Sequence, residues 1–138
     1  MIIDCGIEYV DQINLLLQYF NTQITREIME DNPYSIYLGY KVKNELIGFI
    51  NFNIMYDQAE LNYIYVKPDY RNTSIGTYLM EAMLKRCSDS GVKEITLEVR
   101  KSNDAGVGLY KSFDFEEVSI RRGYYKDEDA LLLKKVIK

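Results

Sequence analysis

The sequence predicts an α+β fold built on a mixed, mostly antiparallel β-sheet that is flanked by helices. Apolar residues recur at helical spacing over 8–20 and alternate at strand spacing over 35–66. A second helical stretch, 75–90, then stands between two strands, and this order favours parallel pairing at that one point of the sheet. With 138 residues, the chain is expected to form a single domain, 1–138.

The first half of the chain is predicted to form a short strand, two helices and a meander of three strands. Gly6 ends the first strand, the turn residues 31–33 end the second helix, and residues 43–45 form a hairpin turn. The predicted segments are the strand 1–5, the helices 8–20 and 22–30, and the strands 35–42, 46–55 and 59–66.

The second half is predicted to alternate helices and strands. Gly91 stands where a helix C-cap glycine is expected, directly after the helix 75–90. In the next strand, 94–99, apolar and polar residues alternate, so that Glu98 lies on the polar side. The remaining predicted segments are the helix 105–113 and the strands 115–121 and 130–137.

Composition excludes several classes of chemistry. The chain has no His and only two Cys, Cys5 and Cys87, so neither a His-dependent triad nor a four-Cys metal site fits, and no metal is expected. The two Cys are expected to be buried free thiols of a cytoplasmic protein. No apolar run reaches the roughly 18 residues of a membrane span, and no signal peptide is visible. A net charge of -4 argues against a nucleic-acid partner and is compatible with a cationic substrate.

Residues 66–77, Val-Lys-Pro-Asp-Tyr-Arg-Asn-Thr-Ser-Ile-Gly-Thr, form a polar loop between a strand and a helix. Backbone N–H groups at a helix N-terminus attract anions, and the loop's hydroxyls add further donors. Gly76 allows close backbone approach to a ligand. On the pattern alone, a capped helix entry without any ligand also explains this segment.

The loop resembles the cofactor motif of the GCN5-related N-acetyltransferase (GNAT) superfamily. That motif reads Arg or Gln, two variable positions, Gly, one variable position, then Gly or Ala. Arg71, Ser74 and Gly76 occupy the three fixed positions, with Ser74 in place of the first glycine.

Further stretches are similar to the bacterial ribosomal-protein-alanine N-acetyltransferases of that superfamily. They are Leu97–Asn103, the helix that ends in Leu109 and Tyr110, and the C-terminal segments Ile120–Tyr125 and Glu128–Ala130. Asp114 stands where the family has glycine, and the connection between Tyr125 and Glu128 is short.

The resemblance implies a V-shaped sheet with acyl-CoA between the fourth and fifth strands, and transfer of an acetyl group from acetyl-CoA to an amine. Glu98 would act as general base on the acceptor, and Tyr110 as general acid on the leaving thiolate. Asn103 would contact the pantetheine or phosphate region. The other residues implied to bind the cofactor are Ile64, Tyr65 and Val66, through their backbone, and Arg71, Asn72, Thr73, Ser74, Ile75, Gly76 and Thr77.

The acceptor implied by the resemblance is the N-terminal alanine of a ribosomal protein. A polyamine, a lysine side chain or another small amine is the alternative, because the resemblance is thin before Asn32. The acidic residues 27, 30 and 31 form either a solvated helix face or a surface that attracts a cationic acceptor. A non-catalytic module that binds acyl-CoA is the other alternative, favoured by Ser74 and Asp114 and opposed by the pair Glu98 and Tyr110. The chain is expected to be a monomer or a homodimer.

Overall fold

The computed structural model describes residues 1–137, and within them the chain forms seven strands and four α-helices. The strands are β1 (Ile2–Asp4), β2 (Ser35–Val42), β3 (Glu45–Met55), β4 (Gln58–Val66), β5 (Glu94–Arg100), β6 (Glu116–Tyr125) and β7 (Glu128–Val136). The α-helices are α1 (Val10–Leu17), α2 (Arg26–Asp31), α3 (Ile75–Asp89) and α4 (Asp104–Ser112).

All seven strands belong to one sheet, in the order β1-β2-β3-β4-β5-β7-β6. β4 and β5 pair in parallel, as the intervening helix α3 requires, and every other neighbouring pair is antiparallel. The predicted mixed, mostly antiparallel sheet is therefore confirmed.

The sheet divides at its parallel pair. Only Gln58–Glu60 of β4 pair with Glu94–Thr96 of β5. Beyond these positions β4 continues to Val66 and β5 to Arg100 without pairing to each other, so the two strands separate. This opening confirms the V-shaped sheet, and we call it the β4–β5 gap.

Helices cover both faces of the sheet. α3 and α4 cover one face with the larger core, in which Phe52, Leu79 and Met83 are fully buried. α1 covers part of the other face with a smaller core that contains Ile13 and Phe49. On that second face α1 packs against β3.

Several predictions about individual residues are confirmed. Gly91 follows α3 with a positive φ of 79°, the conformation of a helix-ending glycine. Cys5 and Cys87 are both buried and free.

The second helix begins later than predicted, at Arg26 instead of residue 22. The Asn14 side chain holds the backbone of Ile24 at both its N–H and its C=O, each at 2.8 Å, and so keeps this segment out of the helix. Thr25 then caps α2, because its hydroxyl accepts a hydrogen bond from the Ile28 N–H at 3.1 Å.

The last two strands are longer than the predicted 115–121 and 130–137. They form one hairpin that closes at Lys126 and Asp127. Between the pairs Arg121–Ala130 and Tyr125–Glu128 the register shifts, and this bulge breaks the alternation on which the prediction depended.

Within residues 1–137, no helix is long and apolar enough to cross a membrane. In the same residues, no group of three or more His, Cys, Asp or Glu side chains is arranged to hold a metal ion.

Candidate active site

The β4–β5 gap exposes backbone groups of β4. The Lys67 N–H donates to the Ile47 carbonyl on β3 at 2.9 Å. Alternate residues of an antiparallel strand direct their backbone groups to the same edge. Tyr65 therefore faces β3, whereas Ile64 and Val66 face the gap. Of the three predicted residues, Ile64 and Val66 have backbone groups in position to pair with a ligand, and Tyr65 has only its side chain to offer.

A run of backbone N–H groups leads from this gap into α3. Within residues 1–137, no protein acceptor is found for the N–H group of any residue from Asn72 to Thr77. Donors at a helix N-terminus carry partial positive charge and attract anions. The predicted loop therefore presents the donor set that a pyrophosphate requires.

Two non-glycine residues shape this loop by adopting the left-handed conformation. Asn72 has a φ of 62° and Ser74 a φ of 69°. The Thr73 hydroxyl, between them, donates a hydrogen bond to the Tyr70 carbonyl. Ser74 thus takes the backbone conformation for which glycine is favoured, at the position where the family motif has glycine.

The Arg71 side chain ties this loop to the end of β4. Its Nε donates to the Val66 carbonyl at 2.9 Å, and its guanidinium carbon lies 5.3 Å from the centre of the Tyr65 ring. The Val66 carbonyl is therefore already engaged, and Arg71 supports the loop from the protein side.

The first turn of α3 leaves room above its backbone. The Ile75 side chain is 5% exposed and belongs to the core, so only its backbone faces the loop. A Cβ added to Gly76 would lie 3.8 Å from Leu109 Cδ2, an ordinary contact, so internal packing does not require glycine there. The space beside Gly76 fits a ligand that approaches the helix backbone closely.

Asn103 is the N-cap of α4. Its Oδ1 accepts a hydrogen bond from the Gly106 N–H at 3.0 Å. A Cβ at Gly106 would lie 2.6 Å from Asn103 Nδ2, so this cap depends on glycine at 106. The Asn103 side chain is exposed, and its amide N–H₂ is the group left for a ligand.

The carboxylate of Glu98 is held at both oxygens. Arg121 Nε lies 3.1 Å from Oε1, and the Tyr124 hydroxyl donates to Oε2 at 3.3 Å. The Glu98 side chain is only 17% exposed. Glu98 is therefore an oriented carboxylate at the surface of β5, not a freely solvated one.

Tyr110 is buried on α4, at 7% exposure. Burial, with a smaller effect of the Tyr125 phenol, raises the pKa of Tyr110 to about 12. Among residues 1–137, the Tyr110 hydroxyl has no hydrogen-bond partner. In the same residues, every side-chain oxygen that is buried from solvent does have such a partner. The hydroxyl therefore reaches accessible space, and it is protonated at neutral pH.

Glu98 and Tyr110 lie on opposite faces of β5. Leu97 and Val99 pack with Tyr110 in the larger core, and strand alternation places Glu98 on the other face. A group placed in the β4–β5 gap is open to side chains from both faces. Tyr125 is also partly buried: its pKa is raised mainly by burial, then by Tyr124, and to a smaller extent by Glu98.

Aromatic residues line the gap on the side of α1. The Phe20 ring centre lies 5.0 Å from that of Tyr63 and 5.9 Å from that of Tyr65, so the end of this helical segment rests on β4. The acidic residues Glu27, Glu30 and Asp31 follow on α2, and all three are exposed. A surface groove lined by Glu116, Val118 and Lys134 lies at the other end of β5, away from the gap.

The β6–β7 hairpin contributes contacts that sequence reasoning did not assign. Arg100 forms ion pairs with Asp127 at 2.7 Å and Glu128 at 3.2 Å. Ser102 donates to the Glu128 carboxylate from its N–H at 3.2 Å and its hydroxyl at 2.9 Å. The hairpin thus fastens the segment that leads from β5 into α4. The only sequence signal for it was the C-terminal resemblance over 120–125 and 128–130.

The comparison with known families agrees with this geometry. Residues 8–115 match the Acetyltransferase (GNAT) family. A Bacillus subtilis relative, provisionally named a [ribosomal protein bS18]-alanine N-acetyltransferase, is 38% identical over 109 residues, which cover 78% of this chain and 72% of the relative. The [ribosomal protein bS18]-alanine N-acetyltransferase of Escherichia coli K12 is 35% identical over 103 residues, covering 70% of each chain.

Solved structures share the whole fold. The crystal structure of the ribosomal-protein-S18-alanine N-acetyltransferase from Escherichia coli superposes with a TM-score of 0.88 at 27% identity, covering 100% of this chain and 94% of that one. An aminoglycoside 6'-N-acetyltransferase complexed with coenzyme A has the same fold, with a TM-score of 0.84 at 19% identity over 100% of this chain and 97% of its own. The chain therefore belongs to the GNAT acetyltransferase family and is an acetyl-CoA-dependent N-acyltransferase.

Proposed function

We propose that this enzyme acetylates the N-terminal α-amine of a ribosomal protein that begins with alanine, with residues 1–138 acting as a single catalytic domain. The relatives named for that reaction are 35% and 38% identical to this chain and cover 70% and 78% of it. Such an acceptor places the enzyme in the cytoplasm. The non-catalytic alternative loses its support, because the family and the named relatives are those of enzymes.

Acetyl-CoA would lie in the β4–β5 gap. It supplies a thioester carbonyl that is open to attack by an amine. The backbone N–H groups from Asn72 to Thr77 would hold its pyrophosphate, and the backbone of Ile64 and Val66 would pair with its pantetheine arm. The Asn103 amide would add a donor near that arm.

Glu98 would remove a proton from the acceptor ammonium. An α-amine has a pKa of about 8, so at neutral pH most of it is protonated and cannot attack. A carboxylate fixed at both oxygens is a base of defined position, and it reaches the acceptor directly or through one water.

Tyr110 would donate to the leaving sulfur from the opposite face of β5. A phenol whose pKa is raised to about 12 is a hydrogen-bond donor throughout the neutral range. The observation that carries this mechanism is the placement of Glu98 and Tyr110 on opposite faces beside a gap lined with backbone donors.

The test is acetylation of a synthetic peptide that begins with alanine, followed by mass spectrometry. The acceptor panel also contains the same peptide with a blocked N-terminus and an internal lysine, and a polyamine. We expect the α-amine of the unblocked peptide to be modified and the blocked peptide to be left unchanged. A kcat/KM at least about tenfold higher for the polyamine or the lysine would replace the proposed acceptor class.

Variants test the two assigned residues in the same assay. Glu98→Gln and Tyr110→Phe are each expected to lower kcat by roughly 100-fold or more, with little change in the KM for acetyl-CoA. Glu94→Gln is the matched control, because Glu94 lies on the same strand and face but pairs with Lys134 at the closed end of the gap. Equal losses in Glu94→Gln and Glu98→Gln would remove the base assignment.

A further inference from the structure

The hairpin of β6 and β7 contains an unusual bulge. Between the pairs Arg121–Ala130 and Tyr125–Glu128, three residues of β6 stand opposite the single residue Asp129. Gly123 takes a φ of 64° within this bulge. Its N–H donates to Asp129 Oδ1 at 2.8 Å, and so the β7 carboxylate fixes the shape of the bulge.

This bulge places two side chains of β6 on Glu98. Arg121, just before it, approaches Oε1 at 3.1 Å, and Tyr124, within it, approaches Oε2 at 3.3 Å. The Arg121 guanidinium also lies 5.9 Å from the centre of the Tyr124 ring, so the two side chains that contact Glu98 also interact with each other. Contacts at both oxygens restrict rotation of the carboxylate about its last side-chain bond.

Arg121 reaches Glu98 by crossing an intervening strand. β7 lies between β5 and β6, and adjacent strands are about 4.8 Å apart, so the Arg121 and Glu98 side chains together span roughly 10 Å between the two backbones. Ala130 pairs with Arg121 on one side and with Arg100 on the other, and it therefore shares the face of both Arg121 and Glu98. Its single methyl group leaves room beside Arg121, and Leu132, which pairs with Glu98, lies on the same face at the other end of this path.

We propose that Arg121 is a positioning residue, which holds the Glu98 carboxylate in the orientation needed to accept the proton of the acceptor. This inference rests on the base role given to Glu98 under the proposed function. The Arg121 guanidinium forms an ion pair with Oε1 at 3.1 Å and attracts that oxygen by its charge, while the Tyr124 hydroxyl donates a hydrogen bond to Oε2. Arg121 contributes through the orientation of Glu98 and has no contact of its own with the reacting atoms.

The test compares Arg121→Gln, Arg121→Lys and Arg122→Gln. Arg122 is the matched control, because it is adjacent, exposed and equal in charge, and within residues 1–137 it takes part in no ion pair. We expect Arg121→Gln to lower kcat roughly 10- to 100-fold, the cost of a misplaced catalytic group, with the KM for acetyl-CoA nearly unchanged. Arg121→Lys should recover part of the rate, and Arg122→Gln should match the wild type.

A double variant decides how Arg121 acts. In a Glu98→Gln background, Arg121→Gln should cost less than about twofold, because its effect passes through Glu98. An equal loss in both backgrounds would overturn the positioning role and leave the base assignment standing. Full activity of Glu98→Gln would overturn the base assignment and, with it, this inference.

A second readout does not depend on the acceptor. The carboxyl carbon of Glu98, observed by NMR in protein with ¹³C-labelled glutamate, is assigned through its disappearance in Glu98→Gln. Its resonance should shift in Arg121→Gln and stay in place in Arg122→Gln. An unchanged resonance in Arg121→Gln would refute the contact itself, even if the proposed acceptor proved wrong.

Discussion

Ser74 is the residue at which this chain departs from the glycine of its family's cofactor loop. It nevertheless adopts the left-handed backbone of that glycine, with φ 69° and ψ 9°. For a residue with a Cβ, this conformation costs about 1 kcal/mol. The departure therefore changes the stability of the loop and adds a hydroxymethyl group at the proposed pyrophosphate site, while the left-handed backbone conformation is kept.

Replacing Ser74 with glycine should consequently stabilise the protein. Ser74→Gly relieves the left-handed strain, and we expect a gain of up to about 1 kcal/mol in the free energy of unfolding. Ser90→Gly is the matched control at the other end of α3, where φ is -91° and glycine only adds freedom to the unfolded chain, so it should cost about 0.5 kcal/mol. Urea unfolding measures both, and a change of the same sign in the two variants would contradict the argument.

At the scale of elements, periodicity was sufficient to predict the order of strands and helices. β5 alternates cleanly, and Gly91 follows the end of α3 as predicted. The prediction failed where side chains hold the backbone against local preference. Asn14 binds the backbone of Ile24 from a helix ten residues away, and no periodic pattern contains that information.

The candidate site shows the same division. Glu98, Tyr110 and the loop 71–77 could be proposed from the sequence because each belongs to a short contiguous motif. The Arg121–Glu98 pair joins two strands that are separated by a third, and its formation depends on a bulge whose register only the folded hairpin defines. Gly123 within a strand is a signal for a bulge, but not for the side chains that the bulge presents.

The Glu128 contacts, which fasten β5 to the start of α4, yield a prediction at this scale. Hydrogen bonds from Ser102, and then the Arg100 pair, lower the pKa of Glu128 below the usual 4.5. A carboxylate whose pKa is lowered on folding stabilises the fold at pH values above its usual pKa. This stability is lost as the pH falls through the pKa of the folded state. Glu128→Gln should therefore lower the melting temperature at pH 7, and this loss should become smaller as the pH falls below 4.5.

Glu117→Gln is the control for that comparison. Glu117 is exposed on β6, and within residues 1–137 it forms no ion pair. Its replacement should leave the melting temperature unchanged across the same pH range. A difference between wild type and Glu128→Gln that stayed constant from pH 3 to pH 7 would show that the Glu128 carboxylate charge is not the source of the stability.

For the whole molecule, the main feature is that the sheet is joined across only three residue pairs at β4 and β5. The strands β1–β4 lie on one side of this junction and β5–β7 on the other. A ligand in the gap would contact β4, α3 and α4 together and so bridge both parts. Binding should therefore raise the stability of the entire fold, and not that of one loop alone.

Acetyl-CoA at about 100 times its dissociation constant should add roughly 2.7 kcal/mol and raise the melting temperature by about 10 °C. Adenosine diphosphate, which has the pyrophosphate but no pantetheine arm, should give a smaller rise.

The variant Gly76→Asp separates the effect on binding from any effect on folding. The added Cβ fits, at 3.8 Å from Leu109, and an acidic residue suits the first turn of a helix, so the variant should fold. Its carboxylate should repel the pyrophosphate and abolish the shift. A full shift in Gly76→Asp would mean that the pyrophosphate binds away from the α3 N-terminus.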